Sequence, residues 1–448
     1  MLITNATVAT WDNPNRLLQN HSIYISGERI QEVGPSSKID LLHHKARRLD
    51  AGGQLVMPGA VCAHTHFYSA FARGLAIPGP APRDFPDTLN RLWWPLDRAL
   101  LEDDVRYCAL VGLVDAIRNG TTTVFDHHVS PNAVDGSLDV IAEAVERSGV
   151  RAVLCYEVSD RNGPEAAAAG IKENTRFARR LAATQQPRVA AMFGLHASLT
   201  LSGATLQACR SAVPEGVGFH IHVAEHEVDQ YDSLARAQMR VVDRLNNHGI
   251  LGPKSIAAHC VHVDAAETQV LKETGTWVTH QPRSNMNNAV GSAPAESLLR
   301  AGVRVCFGND GLSNAMWDEW KAAYFLHKAT NRDPRRMDGG QVMQMGIRHP
   351  AELASSFFPD APIGVVAPGA CADLVLIDYP SPTPVTAENL PWHIIFGFQS
   401  GMVTTTIVAG KLLMKDRKLL TLNEAEIAAH ARELAPRVWN RFLEATKS

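Results

Sequence analysis

No Cys-x-x-Cys pair occurs anywhere in the 448 residues. The seven cysteines (Cys62, Cys108, Cys155, Cys209, Cys260, Cys306 and Cys371) are scattered and odd in number. That pattern excludes a disulfide framework and a thiolate zinc site. No apolar stretch reaches the roughly 18 residues that would span a bilayer. The opening MLITNATVATWDNP has neither a basic start nor an apolar run, so no secretory signal is expected. Basic charge is not in excess either, since Lys+Arg 43 against Asp+Glu 46 leaves a net charge of -3. Nucleic acid and anionic membrane are therefore not expected partners. With 45% hydrophobic and 20% charged residues, the chain is not disordered. These absences describe a soluble, cytoplasmic, globular protein. What is abundant is histidine, at 19 residues, and where the histidines sit is informative.

The first 57 residues read as short strands and turns. Beyond them, eight apolar runs alternate with helical segments. The runs are 57–66, 121–128, 151–158, 189–197, 218–225, 255–262, 276–282 and 304–310. Helix chemistry fills 102–119, with Glu102, Asp103 and Asp104 in the first turn and Gly120 as the stop. Segments 136–148 and 229–248 are similar. Eight strands alternating with helices predict an α/β fold, a (β/α)₈ TIM barrel over 58–358. Strand composition returns at 372–378 and 402–408, and helical spacing marks 423–445. A small β-sandwich domain built from both termini, 1–57 and 359–448, is expected beside the barrel, with a C-terminal helix. The Pro-rich stretch 77–86 follows the first strand and is expected to lie as a loop over the catalytic face.

Barrel chemistry collects at the C-terminal ends of strands. His64 and His66 are two apart in an extended run and point to one face, where they can take adjacent positions on a metal. His220 and His222 do the same in the fifth run, with Glu225 just past its end. The sixth run carries His259 and His262, and the eighth ends in Asp310. Singly, each residue reads equally as a hydrogen-bonded core histidine or a turn carboxylate. Together they point to a metal centre with an acid-base group.

The order His-x-His, His-x-x-Glu, His, Asp resembles the amidohydrolase superfamily, in its mononuclear deaminase branch of cytosine, guanine, 8-oxoguanine, S-adenosylhomocysteine and triazine enzymes. Met57-Pro58-Gly59, Gly120-Thr121-Thr122 and the turn 369–374 extend the resemblance over nearly the whole chain. The segments HTHFYSAFARG, LWWPLD, FDHH and HQPRSNMNNAVG are most similar to SsnA-type aminohydrolases. The resemblance implies that His64, His66, His222 and Asp310 bind one divalent metal, Zn²⁺ or else Fe²⁺. It assigns Glu225 as general acid/base and His259 as the residue that orients the metal-bound hydroxide. That hydroxide would attack the carbon bearing an exocyclic amine, Glu225 would protonate the ring nitrogen, and Asp310 would relay a proton to departing ammonia. The expected reaction is hydrolytic deamination of a purine, pterin, pyrimidine or triazine-like ring.

Cyclic-amide hydrolases of the superfamily bridge two metals with a lysine on the fourth strand. Here that run is VAAMFGLHASLTL, without lysine, which favours one metal and deamination. Candidate substrate contacts are His196, Asp97, Arg73, Trp94 and His128. Asp97 aligns with a glutamate that binds ribose in nucleoside-type relatives and is one methylene shorter. Either His127 or His128 can face the pocket, and Trp93 and Trp94 read equally as aromatic wall or barrel rim. Arg283, Asn285 and Asn287 suit loop hydrogen bonds, and His226, Glu227 and Asp229 suit a solvated helix start. Alternatives are a hydrolase on the same site that expels chloride or an alkylamine, or opens a cyclic amidine, and a non-catalytic binding barrel. The expected partners are a small heterocycle, water and a second copy in a homodimer.

Overall fold

Both ends of the chain build one sheet. Its N-terminal strands are β1 (Leu2–Ala9), β2 (Leu17–Ser26), β3 (Arg29–Pro35), β4 (Arg48–Asp50) and β5 (Leu55–Pro58). In the computed structural model, which describes residues 1–184 and 186–446, eight barrel strands follow. They are β6 (Ala60–Thr65), β7 (Thr121–His128), β8 (Arg151–Tyr156), β9 (Val189–Ala191) continued by β10 (Phe193–Ala197), β11 (Phe219–Val223), β12 (Ile256–His259), β13 (Trp277–His280) and β14 (Val305–Phe307). The chain then returns to the first sheet with β15 (Leu374–Ile377), β16 (Val403–Val408), β17 (Lys411–Lys415) and β18 (Lys418–Leu419).

That sheet has nine strands in the order β18-β17-β16-β15-β5-β1-β2-β3, with β4 also on β1. The two ends of the chain meet where β15 pairs antiparallel with β5, Leu374 opposite Pro58 and Ile377 opposite Leu55. The sheet has its own apolar core, including Ile3, Val8, Ile23, Leu374 and Ile407, all fully buried. It is tied to the barrel by a buried ion pair. Arg151 at the start of β8 donates to Asp373 at 2.7 Å, and the two side chains are 3% and 1% exposed. Asp373 also accepts the Ala409 amide at 2.6 Å.

The barrel strands are parallel and run β6 to β9, then β10 to β14. They are apolar because both faces are covered, and all eight residues of β7 are buried. The fourth strand is interrupted at Met192, and a bridge from Val158 to Leu195 carries the pairing across the break. Closure comes where the Asn309 amide donates to the His64 carbonyl at 2.9 Å. Only glycine fits beside that contact, since a Cβ at Gly308 would lie 2.7 Å from the Cβ of His64. The fold is the (β/α)₈ barrel that the strand pattern predicts.

Helix Glu102–Arg118 starts where the Asp104 carboxylate accepts the Leu101 amide at 2.8 Å, and it ends at Gly120 with φ +76°. The segment expected as one helix over 229–248 is two, Glu227–Ala237 and Val241–Asn247, broken by the left-handed Gln238. The tail helix Glu424–Ala445 is capped by Asn423 and returns to the barrel. There Trp439 donates to the Phe71 carbonyl at 2.9 Å and Arg441 to the Ala99 carbonyl at 2.6 Å. Among the described residues, no helix is long and apolar enough to cross a membrane.

Candidate active site

Four side chains from three strand ends meet inside the barrel mouth. His66 Nδ1 donates to the His127 carbonyl at 2.6 Å, and His222 Nδ1 donates to the His196 carbonyl at 2.8 Å. A carbonyl only accepts, so both rings carry a proton on Nδ1 and turn Nε2 inward. Those two Nε2 atoms lie 3.2 Å apart. Asp310 Oδ1 stands 3.0 Å from His64 Nε2 and 3.1 Å from His66 Nε2, and His64 Nδ1 is 2.8 Å from His220 Nε2. Burial holds His64 down to about 3. Burial opposes charge on His66 too, yet the hydrogen bond and charge of Asp310 outweigh it and raise that ring to about 9. The point between the rings attracts a cation. The ligand atoms of His64, His66, His222 and Asp310 all lie within 4.8 Å of one another, so the donor set fits a single divalent metal ion.

Backbone strain marks the same place. Ala224, His259, Cys260 and Asp310 are non-glycine residues with φ of +46°, +71°, +49° and +56°. Each sits at or just past a strand end beside the mouth, and at Asp310 and His259 the turn brings the side chain to the cluster. His259 Nδ1 is 2.9 Å from Asn285 Oδ1 and therefore carries the proton. Its Nε2 is buried without a hydrogen-bond partner, 3.5 Å from Glu225 and 3.7 Å from Asp310. Asp310 Oδ2 accepts from Ser284 at 2.5 Å, and Glu225 accepts from Asn288 at 3.3 Å. The two carboxyls are driven apart. Burial, and then the negative charge of Asp310, push Glu225 well above the ordinary carboxylate range. Burial works against Asp310 as well, but His259, His64 and His66 overcome it and hold it well below that range.

A cavity opens over this cluster. His196, Asp97, Trp93 and Trp94 line it, with Phe85 and Leu89 from the loop after β6. Arg73 does not. It is exposed and borders a separate hollow beside Val111 and Leu312, because the short helix Phe67–Ala72 ends just before it. His128 does not reach the cavity either, since it is buried and its Nε2 bonds Ser130 at 2.8 Å. His127 is buried inside the barrel, its Nε2 donating to the carbonyls of Leu195 and His220 at 3.0 and 3.1 Å. Asp229 is no solvated helix start. It is buried, lines the cavity and accepts the amides of Ala224 and Leu199 at 2.9 and 2.8 Å. Asn285 is more than a loop residue, since it fixes the tautomer of His259.

Sequence reasoning passed over Arg161 and Glu157. Arg161 donates to Asp97 at 2.9 Å and to Glu157 at 3.0 Å, and its guanidinium lies 5.1 Å from the Trp94 ring. Glu157 stands one residue past β8, a strand-end signal of the kind that marks Glu225. Asp97 Oδ1 and Trp94 Nε1 remain buried without a protein partner.

The amidohydrolase family matches residues 55–413. The chain belongs to the amidohydrolase family. Two of its relatives are a 5'-deoxyadenosine deaminase of Methanosarcina mazei, 31% identical over 97% of both chains, and a 5-methylthioadenosine/S-adenosylhomocysteine deaminase of Pelotomaculum thermopropionicum, 32% identical over 98% and 99%. Among solved amidohydrolase folds, an adenosine deaminase from Xanthomonas campestris with bound zinc superposes with a TM-score of 0.86, at 25% identity over 98% of both chains. The atrazine chlorohydrolase TrzN of Arthrobacter aurescens, complexed with zinc, shares the fold at a TM-score of 0.80 and 22% identity over 97% of this chain and 100% of that one.

Proposed function

We propose that this protein hydrolytically deaminates an adenosine-like nucleoside, using one zinc ion held by His64, His66, His222 and Asp310. The observation that carries the reading is the convergence of inward-facing imidazole nitrogens and Asp310 beside the buried carboxyl of Glu225. Three imidazoles and a carboxylate suit Zn²⁺, with Fe²⁺ the next fit. Bound there, the metal supplies hydroxide at neutral pH by lowering the pKa of water toward about 7.

The chain's own groups do the rest. Phe85, Trp93 and Trp94 give aromatic walls to a flat base. Glu225 donates its proton to the ring nitrogen next to the carbon under attack. Asp310, an anion, accepts the proton of the attacking water and passes it to the departing amine. His259 Nε2, with no other partner, orients that water. As the C–N bond breaks, the remaining proton of the added hydroxyl returns to Glu225, ammonia leaves and a carbonyl remains. Two carboxyls with pKa values pushed in opposite directions are what such a paired acid and base require. Asp97 and Trp94 line the cavity, and their Oδ1 and Nε1 have no protein partner, so a shift of either side chain would present a hydrogen-bonding group suited to a sugar hydroxyl. The activities named for the relatives support the same ring and sugar.

The test is ammonia release by metal-analysed protein. Adenosine, 5'-deoxyadenosine, methylthioadenosine and S-adenosylhomocysteine would be compared with guanine, cytosine and aminotriazines. Stoichiometric ammonia from a nucleoside with about one metal per chain is expected. Activity on free bases alone would overturn the nucleoside assignment, and no ammonia from a metal-loaded chain would overturn deamination.

A further inference from the structure

The helix Met316–Asn331 follows β14 and packs against the short helix Leu390–Phe396. Its inner face is mainly apolar, with Met316, Trp317, Trp320 and Ala323 buried beside Glu319 and His327. Its outer face should be polar. At its middle it is aromatic instead. Phe325 is 52% exposed, and Phe396 and Trp392 of the short helix are 63% and 39% exposed. The rings form one continuous group. Phe325 and Phe396 have centroids 6.3 Å apart, and Tyr324 lies 5.5 Å from Phe396 and 6.0 Å from Trp392. Single apolar side chains are ordinary on a surface, but a joined aromatic cluster marks a contact site.

The flanking charges identify the occupant. Asp318 stands seven residues before Phe325, and the exposed Arg332 stands seven residues after it at the helix C-cap. Seven residues are nearly two turns, so all three lie along one broad side of the helix. Ala322 and Ala329 stand between them on the same side. A two-fold axis through Phe325 lays this helix antiparallel against its own copy. Asp318 then meets the partner's Arg332, Arg332 meets the partner's Asp318, and the alanines leave room for the partner's Phe325. A two-fold interface must be complementary to itself. An acid at one end, a base at the other and an aromatic centre satisfy that condition. The nearest cations to Asp318 within the chain are Lys321 at 3.8 Å and Arg283 at 3.9 Å, contacts long enough to leave the carboxylate available. We propose that a second copy of this chain covers the patch, forming a two-fold dimer through Met316–Asn331 and Leu390–Phe396.

Sedimentation equilibrium of the full chain tests this. The expected mass is near twice 48.8 kDa. Phe325→Glu should sediment as a single chain while keeping a cooperative thermal melt. Asp318→Arg and Arg332→Glu should each weaken the dimer about tenfold or more, because like charges then face each other, and the double swap should restore it. If Phe325→Glu loses its cooperative melt, the charge swaps decide alone. A parent chain that sediments at 48.8 kDa at micromolar concentration overturns the proposal. So does a dimer unmoved by the single swaps, or one weakened by them that the double swap does not rescue.

Discussion

Glu225 and Asp310 share one cavity, yet burial pushes Glu225 above the ordinary carboxylate range while the surrounding imidazoles hold Asp310 below it. Geometry makes the difference. His64 and His66 lie within 3.1 Å of Asp310, whereas the hydrogen-bond donor to Glu225 is the neutral Asn288. Glu225→Gln keeps the shape and the Asn288 contact but removes the transferable proton. It should bind metal like the parent and lose about 10²–10⁴ in kcat, the usual worth of a general acid. Metal analysis and kcat of the same preparation check both halves, and retained turnover would remove Glu225 from the chemistry. His259 shows the same logic at a second position. Its left-handed φ and the Asn285 contact leave one nitrogen free in the mouth.

At the scale of elements, the strands read directly from the sequence because a parallel barrel covers both strand faces and leaves continuous apolar runs. His64, His66, His222, Glu225, His259 and Asp310 were legible for a related reason, since strand ends fix where side chains collect. Arg161 was not legible. It lies on the short helical turn Asp160–Asn162, where nothing in a single sequence shows that Asp97 comes to meet it. Asp229 misled because its first-turn position resembles a solvated helix start, while the loops after β10 and β11 close over it. The ion pair between β8 and the turn before β15 was equally hidden, its partners standing 222 positions apart. Asp373→Ala should strand Arg151 as an unpaired buried charge. The expected loss is about 3–5 kcal/mol of stability, readable in a urea titration. A loss under about 1 kcal/mol would show that water reaches Arg151 and that the pair does not hold the sheet to the barrel.

For the whole molecule, buried histidines set the response to acid. His280 and His327 are buried with Nε2 atoms 3.2 Å apart, remote in role from the metal cluster. Burial pushes both down, His327 to about 4, and charge on His327 would push His280 lower still. Their folded values lie below the unfolded value of about 6.5. Between pH 6.5 and about 4 the unfolded chain therefore binds protons that the native chain refuses. The stability they contribute is complete above pH 6.5 and is lost as pH falls, by about 1.4 kcal/mol per group per pH unit. The urea midpoint should drop steadily across that window, and His327→Asn should flatten the slope. Equal slopes for the two proteins would mean that the pair titrates normally.

The pairing of β5 with β15 also sets a schedule for synthesis. On the ribosome, β5 must wait for a partner that emerges roughly 300 residues later, about 15–60 s at ordinary elongation rates. Leu55, Val56 and Met57, all buried in the finished protein, form that waiting edge. β1 already covers the other edge of β5, so for that interval the nascent chain presents one open apolar strand edge to its neighbours, and yield in a cell should depend on chaperone capacity and translation speed as well as on the stability of the completed fold.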